Sequence, residues 1–143
     1  MLKINYHHHS FISRLIQFVS GDFYNHVSVE VNDYVYEAHI NTGVIKTRID
    51  EWDDSTVHKT QIFECTPKRM ATTVRWMDKQ IGKGYDLLVL SFVWIFLKQK
   101  KGKFFCSEFY ICLMKIGMLS SQYSPRKKPQ DVYEVGEIIL SIK

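Results

Sequence analysis

Residues 25–38 constrain this chain more than any other stretch. From Asn25 to Val31 the sequence alternates with period two, Val27, Val29 and Val31 on one side and His26, Ser28 and Glu30 on the other. Asn32-Asp33 reads as a two-residue turn, and Tyr34 to Ala38 as the returning strand. With that loop, Val31 faces Tyr34, Ser28 faces Glu37 and His26 faces His39. His26, Glu37 and His39 then share one sheet face, with Glu37 diagonal to His26 at roughly 5–8 Å between Cβ atoms. A three-residue loop would reverse the parity, so the expectation depends on the turn.

A chain of 143 residues is most simply one domain spanning 1–143, long enough to bury a core without staples. Its net charge of +4 is too modest to imply nucleic acid. The basic clusters at Lys98 to Lys103 and Arg126 to Lys128 read as solvated faces. Cys65, Cys106 and Cys112 make an odd count without CxxC or CxxH pairing, against both a disulfide framework and a closed zinc site. Reduced thiols and the lack of a visible signal peptide predict a cytoplasmic protein as synthesised, with virion association or release on lysis compatible with that. The apolar run Leu87 to Leu97 is only eleven residues, too short to span a bilayer, and reads as part of a core helix.

The remaining elements follow from periodicity and punctuation. His7, His8 and His9 read as a polar loop rather than a metal-binding tract or tag remnant. Ser10 looks like an N-cap, with Ile12, Leu15, Ile16 and Val19 as the apolar stripe of a helix to Ser20. Gly43 to Ile49 and His58 to Glu64 read as further strands. Pro67 opens a helix expected to run to Gly82, and Lys83-Gly84 reads as a hinge or turn. Tyr85 to Leu97 is a third helix, Ser120 to Pro129 a polar loop, and Ile138 to Ile142 a last strand.

The chemistry centres on Lys103 to Gly117. Phe105, Phe109, Leu113 and Ile116 fall at helical spacing, so an amphipathic helix is expected from about Phe105, with Cys106 in its first turn. Unpaired N–H groups and the helix dipole favour a thiolate at such a position, next to the polar Ser107 and Glu108. Cys65 and Cys112 read as small buried hydrophobes. His26 on its strand face is the candidate base, with Glu37 or His39 able to fix its tautomer. Nucleophile, base and orienter are the parts of a thiol hydrolase. Zinc is the competing use of His26, His39 and Cys106, but no HxxxH or HxH spacing among them supports it. No metal and no cofactor are implied.

In order, the chain offers a helix, then YNHVSVEV, VYEA, GVIKT, GKGYD and FFCSEFY. This order resembles the circularly permuted branch of the NlpC-type papain-like cysteine peptidases, the YiiX-like proteins, and more distantly the lecithin–retinol acyltransferase group. The likeness runs from about Ser10 to about Asp131. It implies an α+β fold with a permuted papain-like core, an antiparallel sheet packed against the Cys106 helix. It implies Cys106 as nucleophile, His26 as general base and Glu37 as the orienting residue, with Tyr85 lining the site. Tyr85 and Ser107 are accordingly the candidate substrate-binding residues. LKINYHHH stands where members of that branch begin with Gly-Asp and an apolar strand.

The expected activity is cleavage of an amide or ester bond through an acyl-enzyme. By analogy the substrate is a peptide or isopeptide, a peptidoglycan stem peptide or a lipid acyl group. Acyl transfer to lipid or amine acceptors, and a non-catalytic binding or virion structural module, are the alternatives. Neither the substrate nor the oligomeric state is written in the sequence.

Overall fold

The structure, a computed structural model, describes residues 1–8, 23–24, 26–39, 41–85, 103–104, 111–115 and 129–141. Strands β1 (Leu2–His7), β2 (His26–Val31), β3 (Tyr34–His39), β4 (Gly43–Arg48) and β5 (Val57–Phe63) come first. They form a five-stranded antiparallel sheet in the order β4-β3-β2-β1-β5. Helix α1 (Pro67–Asp78) follows, then the short parallel pair β6 (Gly84–Tyr85) and β7 (Lys103–Phe104). Helices α2 (Ile111–Lys115) and α3 (Pro129–Ser141) complete the described chain, an α+β arrangement. The expected helix over residues 10–20 and most of that over 85–97 lie outside the described residues, as does the loop over 120–128.

Pleating divides the sheet into two unlike faces. On one, Leu2, Ile4, Tyr6, Val27, Val29, Tyr36, Ala38, Val44 and Phe63 are buried in a cluster with Met70 and Met77 of α1, Cys112 of α2 and Val132 of α3. Each Leu, Ile, Val, Phe or Met among them contributes about 1.5–3 kcal/mol on leaving water. Two polar ties fix helices to this face. Tyr36 donates to Asp78 at 2.8 Å, and the buried Gln61 accepts from Tyr6 at 2.6 Å while donating to the Tyr133 carbonyl at 3.0 Å. A methyl group at Gly136 of α3 would collide with the Gln61 amide, so a side chain there would require the end of Gln61 to shift.

Three expectations are corrected. LKINYH is a strand: Leu2, Ile4 and Tyr6 point into the core, and His7 is its last, buried residue rather than part of a polar loop. The segment expected as a closing strand at 138–142 instead continues helix α3 to Ser141. Val132, Gly136, Ile139 and Leu140 fall on the inward side, whereas Ile138 is exposed. The short apolar run Ile138-Ile139-Leu140 mimics a strand because Gly136 interrupts the helical stripe. Lastly, Gly84 and Tyr85 belong to β6, not to a hinge and a helix.

Helix α1 is capped by Thr66, whose hydroxyl accepts from the Arg69 amide, and Pro67 occupies its first turn. It stops four residues short of Gly82 because the chain tightens into i−3 bonds, Gln80 to Met77 and Lys83 to Gln80. The turn then clips to the edge of the sheet. Gly82 N–H donates to the Val44 carbonyl and Val44 N–H to the Lys83 carbonyl, both at 2.9 Å. Gly43 makes that approach possible, having φ +75° and no Cβ to strike the Lys83 carbonyl.

Gly43→Ala and Gly82→Ala separate these effects. Gly82 has φ +81° with open space around it, so alanine there is expected to cost about 1–2 kcal/mol from backbone conformation alone. Gly43→Ala adds the collision with backbone and is expected to lower the urea midpoint further than Gly82→Ala. Equal midpoints would contradict the clip.

Candidate active site

The turn between β2 and β3 decides which side chains meet. Asn32 and Asp33 both adopt positive φ, 47° and 63°, the backbone of a two-residue hairpin loop. Both residue types tolerate that conformation. The register follows, Val31 opposite Tyr34 and Ser28 opposite Glu37, as the sequence predicts. His26, Glu37 and His39 lie together on the face opposite the apolar core.

Glu37 is central and buried, with 9% of its side chain exposed. One carboxylate oxygen, Oε1, lies 2.9 Å from His39 Nε2, and the other, Oε2, lies 3.6 Å from His26 Nε2. The first is hydrogen-bond distance and the second is looser. His26 is nearly buried at 12% side-chain exposure, whereas His39 opens to solvent at 47%. Burial by itself would push the Glu37 carboxyl up, but the two imidazoles more than reverse this and hold it well below the usual carboxylate range. Glu37 is therefore the group between the two histidines, and His26 and His39 approach each other only as rings, 5.9 Å between centroids.

A fourth side chain joins this face from β1. His7 lies opposite His26 in the β1–β2 register, its ring 5.0 Å from that of His26. Its Nε2 is 2.8 Å from Ser28 Oγ and its Nδ1 2.9 Å from Thr56 Oγ1. Sequence reading missed His7, although the alternation of Leu2, Ile4 and Tyr6 with Lys3, Asn5 and His7 carries the same period-two signal as β2.

Cys106 and Ser107 lie outside the described residues. Tyr85 is in β6, opposite Phe104 of β7, two residues before Cys106. Cys112 is fully buried in α2, and burial pushes its thiol well up, which suits the packing role expected of it. Cys65 is a free, half-buried thiol packed against the core. Among the described residues no group of three or more His, Cys, Asp or Glu side chains is arranged to hold a metal ion. Among them also, no helix is long and apolar enough to cross a membrane. No protein-family model, curated protein or solved structure matches the chain.

The Glu37 carboxylate links fold to pH. A carboxyl lowered on folding contributes stability above its unfolded value near 4.5, and loses it as pH falls toward the folded value. Urea unfolding is therefore expected to show wild type losing stability between neutral pH and about pH 3 more steeply than Glu37→Gln. Parallel losses would show that the imidazoles do not hold the carboxylate.

Proposed function

We propose that this protein is a cysteine hydrolase of permuted papain-like type that cleaves an amide or ester bond through an acyl-enzyme on Cys106. The observation that carries the reading is the buried Glu37 carboxylate facing Nε2 of His26 on a single sheet face. A carboxylate there favours the tautomer with hydrogen on Nε2 and stabilises an imidazolium, the task of an orienting residue beside a general base. The nucleophile is supplied by FFCSE, the motif that resembles the YiiX-like proteins.

Chain connectivity supports bringing the two together. His39 pairs with Gly43 at the start of β4, and the neighbouring Val44 is clipped to Lys83, next to β6. Strand β6 in turn pairs with β7, which ends at Phe104. Strand β7 therefore brings the described chain, two residues before Cys106 in sequence, to the end of the sheet that carries His39.

With Nε2 turned toward Glu37 at 3.6 Å, proton transfer is assigned to Nδ1 of His26. The Cys106 thiol gives its proton to Nδ1, and the thiolate attacks the carbonyl carbon. The backbone N–H of Cys106 is a natural donor to the resulting oxyanion. Collapse breaks the bond to the leaving amine or alcohol, which takes the proton from His26. Water then gives a proton to Nδ1 and attacks the thioester. The acid product leaves, and Cys106 is regenerated with its proton.

Alkylation by iodoacetamide, followed by peptide mapping, tests this. Cys106 is expected to label at neutral pH far faster than buried Cys112, and His26→Ala to slow its labelling by roughly tenfold or more as the thiolate loses its partner. Glu37→Gln is expected to slow it less. Labelling of Cys106 that is indifferent to His26 would overturn the pairing.

A further inference from the structure

We propose that His7 is a positioning residue that holds the His26 imidazole in the plane where Nε2 meets Glu37. The inference rests on the hydrolase reading for its purpose, but not for its geometry. His26 lies near Glu37 on its β3 side at a distance too long for one strong hydrogen bond to fix the ring. On its β1 side it meets the ring of His7, tilted by 56° at 5.0 Å.

His7 itself is fastened unusually well. It is 2% exposed, and a hydroxyl partners each ring nitrogen. Hydroxyls donate or accept, so either neutral tautomer of His7 is satisfied without drawing on Glu37. Both partners come from fixed backbone. Ser28 is two residues from His26 on the same strand and pairs with Glu37 across the ladder. Thr56 is brought in by a bulge in β5, where Tyr6 pairs with Lys59 but His7 pairs with Val57, leaving His58 as the extra residue. The His8 amide then donates to the Thr56 carbonyl at 3.1 Å, locking that corner.

Trp52 packs edge-on against the His7 ring at 5.8 Å, 82° between planes, so His7 lies between Trp52 and His26. Among the described residues, the titratable groups placed around His26 include His7 from β1 and Glu37 and His39 from β3. Of these, Glu37 sets the charge and His7 sets the angle. A ring that is free to rotate would lose the alignment of Nδ1 with the nucleophile, and small misplacements of this kind cost up to about a hundredfold in rate.

The test uses the full chain labelled with nitrogen-15. Wild type is expected to show His26 in the Nε2–H tautomer in two-bond nitrogen–proton spectra. His7→Phe keeps a ring but removes both anchors, and is expected to give a tautomer mixture and to slow Cys106 alkylation roughly tenfold to a hundredfold. His7→Gln, which restores a polar tip, is expected to recover part of that loss. Thr56→Val removes one anchor at nearly constant shape, shifts His26 in the same direction and decides the matter if His7→Phe does not fold. Unchanged His26 signals in these folded variants would overturn the positioning role. If wild-type Cys106 proves unreactive, the hydrolase reading falls, while the His26 spectra still decide what His7 does.

Discussion

A carboxylate buried between two imidazoles is the interaction on which the rest of this structure turns. Glu37 could not remain ionised at such low exposure without partners, because desolvation favours the neutral acid. His26 and His39 remove that penalty, and they can do so only if β2 and β3 pair in one register. By contrast, Arg48 and Asp50 form a bidentate pair with both side chains more than half exposed, where solvent screening leaves such pairs contributing little. The pair that matters to the fold is the hidden one.

That constraint explains the division of labour across the sheet. One face is filled by Leu, Ile, Val, Tyr and Phe side chains against the helices, and supplies the hydrophobic stabilisation. The other places Asn5, His7, Ser28 and Glu37 out of water, which is tolerable only where polar atoms find partners. His7 with Ser28 and Thr56, and Glu37 with its histidines, meet that requirement, whereas Asn5 meets it only at Oδ1, which accepts from Thr60. Burying polar groups weakens a fold relative to apolar ones of the same shape, so this face rests on its hydrogen bonds and ion pairs more than the other does.

The hairpin was legible because its signals are local. Period two, a two-residue Asn-Asp loop and β-branched residues all agree, and the register follows by counting. The shared face of His26, Glu37 and His39 was legible for the same reason. What could not be read is tertiary. Nothing near Leu2 announces that it pairs with both β2 and β5, and His7 gains its meaning only from Thr56, forty-nine residues away. The segment 138–142 misled because Gly136, which packs against the Gln61 amide, broke the helical stripe in α3. The stop of α1 before Gly82 depends likewise on a clip to β4 that the helix's own residues do not encode.

The claim that joins these features is that the His26 imidazole, oriented by Glu37, faces a thiolate on Cys106. Ultraviolet absorbance of the thiolate, followed from acid to alkaline pH in wild type, Cys106→Ser and His26→Gln, measures that pairing directly. An ion pair predicts thiolate absorbance well below the usual cysteine range in wild type, lost in Cys106→Ser and displaced to higher pH in His26→Gln. A wild-type titration that matches Cys106→Ser throughout the acid and neutral range would contradict it.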